Sequence, residues 1–352
     1  MESDVTKRDP VTDALVSRGV MLIIGFLFIA FVALLFIALE AGMEGFLSSA
    51  GSAFDAWQYL LYVIASFACL PLIASFKYFL MPGEDKKIKR EISRQFGIFS
   101  ISTKDGTSQL KHALLMWLLV FVPLDLLSYL IPGMLDFQTR SLIIPPAESD
   151  PGQGLYFSVS IFGIFLGLSI LVHLFVATRE EIMFRGVMQF WGQKNVGFTS
   201  SVVISALAFG LSHFSYWFSP LGQSDPIFFY FALWWGAAGL FVGFMLGFYL
   251  RTTGRILPMI LAHWWNNVVS TIAVWMYVSN NNAISTMSYL GWVLYLPLIV
   301  CGLVLAILWW STILKAGKLV KKEVKSYLNQ PRYEIFFDII FGLGFWVVLL
   351  LI

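Results

Sequence analysis

The chain has 352 residues, of which 58% are hydrophobic and 12% charged, with a mean hydropathy of +0.78. A soluble globular chain carries about 25% charged residues, so this composition excludes a soluble enzyme and specifies an all-α, polytopic transmembrane helical bundle. A formal net charge of +2 is too small to argue for a nucleic-acid partner. Cys69 and Cys301 form neither a disulfide framework nor a CxxC metal motif, and each reads as a packing residue within its apolar run.

Taken in order, residues 1–17 are polar and mixed in charge and read as a cytoplasmic tail. The apolar run Gly19–Leu39 is long enough to cross a bilayer, and no small-residue cleavage site follows it, so it is a first span and not a signal peptide. Further spans are predicted at 57–80, at 112–131, from Leu155 onward, and at 198–216, 227–250, 256–278 and 289–314. The run 335–352 is either another span or an interfacial hairpin, giving eight or nine spans in all. The chain divides into N-terminal transmembrane helices (18–153), a core carrying the chemistry (154–280) and a C-terminal part (281–352).

The loops predict orientation. Lys77, Lys86, Lys87, Lys89, Arg90, Arg94, Lys104 and Lys111 cluster between the second and third spans, and Arg251 and Arg255 lie between the sixth and seventh. Lys315, Lys318, Lys321, Lys322, Lys325 and Arg332 follow the eighth. The alternate loops contain Arg140 as their single basic residue, so the positive-inside rule puts the N-terminus and the basic loops in the cytoplasm, as expected for a plasma-membrane protein. Ile88, Ile92 and Phe96 in one basic segment, and Val320, Val324, Tyr327 and Leu328 in another, have the spacing of amphipathic helices lying on the cytoplasmic leaflet. Gly236, Gly239, Gly243 and Gly247, together with Gly163 and Gly167, have the small-residue spacing that lets helices pack closely inside a bundle. The aromatics Phe228, Phe229, Tyr230, Trp234 and Trp235 read by default as a lipid-facing belt.

Three polar sets interrupt this apolar background. The first is Arg179, Glu180, Glu181 and Arg185, directly after an apolar run. A charge at the bilayer centre costs roughly 2.5–3.5 kcal/mol on insertion scales, so such residues are rare there and usually functional. Glu181 and Arg185 are four apart with the acid first, the favourable order for a helical ion pair. Glu180 points about 100° away and has no such obligate partner, which suits a general base acting on water. The second set is Phe209 with His213, one turn apart. The third is His263 with Asn267, whose spacing puts two hydrogen-bond donors on one helix face. His112 reads as interfacial and His173 as a helix-packing residue.

Depth is less consistent. Counted from a turn near Val196, Glu180 and His213 lie at matching depth, about 24 Å from the cytoplasmic edge. Counted from Arg255, His263 lies only about 12 Å deep. Either the helices tilt or residues 182–195 run along the interface.

Glu180-Glu181-x-x-x-Arg185, Phe209-x-x-x-His213 and His263-x-x-x-Asn267 resemble the EExxxR, FxxxH and HxxxN/D motifs of the CPBP intramembrane proteases. That family includes the type II CAAX prenyl endopeptidase and bacteriocin-immunity or abortive-infection proteins. The resemblance covers about residues 160–275. It implies an endopeptidase acting on membrane-associated or lipidated peptides, with Glu180 activating water and His213 helping to hold it. His263 and Asn267 would stabilise the oxyanion, and Glu181, Arg185 and Phe209 would support the site. A metal-free mechanism is expected, since HExxH is absent and Asn267 is a poor zinc ligand. The alternative is zinc held by Glu180, His213 and His263. The rival from another class is a transporter that uses the same residues to bind an ion or relay protons, and a third reading is an inactive scaffold.

Overall fold

The computed structural model describes residues 9–49, 54–80, 106–142, 162–218, 225–279 and 289–351. Lipid offers the backbone no hydrogen-bond partners, so apolar runs satisfy their own amides as helices. The order is α1 (Pro10–Gly42), α2 (Glu44–Ser49), α3 (Phe54–Leu80), α4 (Gly106–Tyr129) and α5 (Met134–Leu142). There follow α6 (Phe162–Glu181), α7 (Phe198–Phe214), α8 (Phe228–Thr253), α9 (Leu257–Ser279), α10 (Gly291–Leu308), α11 (Trp310–Leu328) and α12 (Arg332–Leu351).

Helix α1 begins earlier than the composition suggests. Asp9 caps it by accepting the amide of Thr12 at 3.3 Å, and Pro10 occupies the first turn, where a missing N–H costs nothing. Residues 10–17, expected to belong to a tail, are therefore helical. Two long helices widen to i→i+5 turns, at Trp117–Phe121 and Gly291–Tyr295, immediately before Pro123 and Pro297. Each proline removes a ladder donor and crowds the carbonyl four residues back, and the wide turn relieves both. A third wide stretch, Ile182–Trp191, has no proline and directly follows Glu181.

Among the described residues six helices are long and apolar enough to cross a membrane: α1, α4, α8, α10, α12 and α7 with its 3-10 extension to Phe218. The protein is a multi-pass helical membrane protein. That count concerns the described residues alone: the span expected at 57–80 is described as the shorter apolar stretch Trp57–Leu72, and α6 starts at the edge of the described residues. In α9, His263, Asn266 and Asn267 interrupt the apolar run. Residues 335–351 belong to one continuous helix, α12, and form no hairpin.

Helix α7 lies at the centre, with 61% of its span buried against 11% for α10, which faces outward through Val300, Leu303 and Ile307. Glycines set the contact between α7 and α8. A methyl added at Gly210 would lie 2.7 Å from Leu240 Cα, and one at Gly243 would lie 2.9 Å from Ala206 Cα. Gly163 and Gly167, by contrast, are exposed and meet nothing within 4 Å among the described residues. Cys69 is buried, but Cys301 is exposed on α10 and is not a core residue. The aromatic belt also divides: Tyr230 is exposed, whereas Phe228 packs in a cluster with Phe137 and Phe231.

A buried ion pair joins the two ends of the described chain. Arg18 Nε donates to Asp338 Oδ1 at 2.7 Å, and its Nη2 reaches Glu334 at 3.2 Å. The basic helix α11 exposes Lys318, Lys321, Lys322 and Lys325, buries Tyr327 and half-buries Val320 and Val324, whereas Leu328, expected on the same apolar face, is exposed. The other such segment, around Ile88, Ile92 and Phe96, lies outside the described residues, as do all the basic residues from Lys86 to Lys104.

Candidate active site

Helices α6 and α9 run antiparallel, and their polar residues meet at matching heights. His173 Nε2 lies 2.7 Å from Thr271 Oγ1, and His263 Nδ1 lies 3.0 Å from Glu181 Oε1. Eight residues separate His173 from Glu181 on one helix, and eight separate His263 from Thr271 on the other, so both contacts repeat after about two turns.

Glu181 is fully buried and is held from two sides. Arg185, one turn along, donates from Nη1 to Glu181 Oε1 at 3.3 Å with its Nε in ion-pair range of Oε2 at 3.3 Å, and His263 approaches from α9. Arg185 is itself 1% exposed, with its guanidinium 4.4 Å from the centre of the Phe209 ring. The same ring lies 4.6 Å from that of His213 and 6.0 Å from that of His263. Phe209 is thus the apolar hub of the site, with two histidines and an arginine around it. The wide helical stretch after Glu181 is buried at Ile182, Phe184, Arg185 and Gln189, and Ser205 of α7 donates to the Phe184 carbonyl at 2.8 Å.

Glu180 projects into a cavity of about 360 Å³ that His213, His263 and Asn267 also line. Its Oε2 lies 3.8 Å from His263 Nε2, and Arg179 reaches Oε1 at 3.4 Å while stacking over Tyr59 and Tyr62. The bonds made by each imidazole limit what its other nitrogen can do. His213 Nδ1 lies 2.8 Å from the Phe209 carbonyl, which can only accept, so the proton is on Nδ1 and Nε2 of the neutral ring is an acceptor. His263 Nδ1 faces a carboxylate, so it too is the donor, and His263 Nε2 can donate only from the doubly protonated ring. The expectation that His263 and Asn267 form a ready donor pair therefore acquires a condition at His263.

Ile256 and Met259 are fully buried, so the start of α9 is packed against protein. Residues 182–191 pack against α1 and α7.

The cavity also contains residues that sequence reasoning passed over. His173 lines it in addition to bonding Thr271. Trp235, read as belt, faces it as well. Beyond Asn267 the wall continues through Ser270 to Asp125, Ser128 and Gln138. An aspartate inside the apolar run 112–131 was the available signal, by the same reasoning that singled out Glu180.

Among the described residues no group of three His, Cys, Asp or Glu side chains has the arrangement needed to hold a metal ion. Glu180, His213 and His263 share the cavity wall, and with both Nδ1 atoms engaged it is the Nε2 atoms of the two rings that remain for a ligand.

A family model described as Rce1-like type II CAAX prenyl endopeptidase matches residues 162–269. No curated protein and no solved structure shows a significant match to the chain. The matched segment runs from the start of α6 into α9 and contains all three polar sets, and at the level of the family it supports an intramembrane endopeptidase. Residues 162–269 of this multi-pass membrane protein thus resemble the Rce1-like type II CAAX prenyl endopeptidases.

Proposed function

We propose that the protein hydrolyses peptide bonds of membrane-associated or lipidated substrates, by a water that Glu180 activates inside the helical bundle. The observation that carries this reading is one cavity lined by a carboxylate, two histidines and an amide, with a second, fully buried carboxylate fixing one of the imidazoles. Glu180 takes a proton from water, and the hydroxide attacks the carbonyl carbon of the scissile bond. His213 Nε2 accepts a hydrogen bond from the same water. The Asn267 amide donates to the oxyanion whatever the state of the histidines, and His263 Nε2 joins it when the ring is doubly protonated. Collapse of the tetrahedral intermediate breaks the C–N bond, and Glu180 returns its proton to the leaving amine. Glu181 is a positioning residue: it fixes the tautomer and tilt of His263, with Arg185 balancing its charge. One preorganised oxyanion donor contributes about 2.7–4 kcal/mol of transition-state stabilisation.

The N-terminus and the basic helix α11 face the cytoplasm in this reading, with peptide and surrounding lipid as the protein's partners. The test is cleavage of a panel of membrane peptides, prenylated and unmodified, by purified protein with and without a chelator. Cleavage that survives chelation and is lost in Glu180→Ala supports the reading. Cleavage abolished by the chelator and restored by zinc overturns its mechanism. Ion or proton flux in reconstituted vesicles without any cleavage hands the site to a transporter.

A further inference from the structure

The other end of the same cavity contains a carboxylate whose partners are all neutral. Asp125 on α4 is 8% exposed and lines the cavity. Its Oδ2 accepts from Ser270 Oγ at 2.8 Å and from the Tyr295 hydroxyl at 2.5 Å. Tyr129, packed edge-on against Tyr295, brings a third hydroxyl close to the same carboxylate. Neither lysine, arginine nor histidine reaches Asp125 among the described residues. The fully buried acids among the described residues differ: Glu181 has Arg185, and Asp338 has Arg18. A charge kept in a poorly solvated place needs a counter-charge, and at Asp125 the protein supplies none.

The lining around it suits a cation. Trp235 presents an aromatic ring to the cavity and is braced edge-on by Tyr216 at 5.1 Å, while Ser128 and Gln138 add polar atoms to the wall. Asp125 and Trp235 line the same cavity, and a carboxylate together with an aromatic surface attracts ammonium and guanidinium groups. Helix α9 sets the scale. His263, Asn267 and Ser270 all line the cavity, and the seven residues from His263 to Ser270 rise about 10 Å along the helix axis. An extended peptide covers that length in about three residues.

We propose that the Asp125 end of the cavity is a specificity subsite that takes a lysine or arginine side chain of the substrate, about three residues from the scissile bond. The proposal rests on the endopeptidase reading and deepens it, since it names a substrate class for the same cavity. Ser270 and Tyr295 orient the carboxylate, Trp235 covers the cation, and the ligand provides the charge that the protein leaves out.

The test uses membrane peptides with one lysine moved through successive positions on both sides of the cut, each paired with its acetyl-lysine counterpart of nearly equal length and no charge. Cleavage is measured with the wild-type protein, and binding with Glu180→Ala in lipid nanodiscs. The expected result is one position, about three residues from the cut, at which lysine is favoured at least tenfold in kcat/KM and in affinity. Asp125→Asn removes that difference, and Asp125→Glu keeps it. The absence of any preferred position, or a preference that persists in Asp125→Asn, overturns the subsite. Should Asp125→Asn fail to fold, the position scan on the wild type and Asp125→Glu decide alone. Position-specific lysine binding without cleavage of any peptide would sink the endopeptidase reading and leave the subsite standing.

Discussion

At one end of the cavity Glu181 is held by an arginine and a histidine; at the other Asp125 is held by the hydroxyls of Ser270 and Tyr295. Both acids are buried, and both are oriented by two partners from other turns or helices. The difference is charge. The Glu181 end is balanced within the protein, so its geometry is complete before any ligand arrives, which is what a reaction centre requires. The Asp125 end is oriented but unbalanced, which is what a recognition site for a charged group requires. One cavity thus combines a prepaired end with an end that waits for its partner.

The largest effect should come from unbalancing the paired end. Arg185→Ala leaves Glu181 buried with His263 alone, and loss of one partner of a buried pair typically costs about 3–5 kcal/mol. Thermal unfolding in detergent should register that as a large drop, well beyond the effect of Arg179→Ala at the partly exposed neighbour. A similar small shift for both variants would mean that Glu181 does not depend on its pair. Next comes the oxyanion donor. Asn267→Ala should lower kcat about 10²–10³-fold with little change in KM, whereas an equal change in KM would make Asn267 a substrate-binding residue instead. The smallest effect is expected at the unbalanced end. Tyr295→Phe removes one hydroxyl from Asp125 and should destabilise the fold by only about 0.5–1.5 kcal/mol, because Ser270 still holds the same oxygen. A loss as large as that of Arg185→Ala would show Asp125 to be a structural keystone and not a subsite.

How far the site was readable from sequence depended on how local the signal was. The Glu181–Arg185 pair follows from i,i+4 spacing, and the face shared by His263 and Asn267 follows from the same rule; both side-chain pairs lie where helical periodicity puts them. The cross-helix partners did not follow. Nothing in the spacing of Glu181 indicates that it, and not Glu180, bonds His263, because that depends on how α6 and α9 are rotated against each other. Asp125 went unread because its motif is a single residue, whose meaning comes from Ser270 and Tyr295 far along the chain. Among the glycines, Gly243 packs against α7 while Gly167 meets nothing among the described residues, although the spacing rule treats them alike. Spacing indicates which residues share a face, but not what that face meets. The length of α1 was hidden for a different reason: its first turns are polar, and only the Asp9 cap and Pro10 mark the start.

The adjacent acids Glu180 and Glu181 offer the most direct test of the account. Single-turnover cleavage of a bound membrane peptide by Glu180→Gln and by Glu181→Gln separates the group that does the chemistry from the group that positions it. The account predicts that Glu180→Gln binds the peptide and loses about 10²–10⁴-fold in rate. Glu181→Gln should lose less, with a changed pH profile as His263 is released from its carboxylate. Comparable cleavage by Glu180→Gln and the wild type, with activity abolished only in Glu181→Gln, would contradict it.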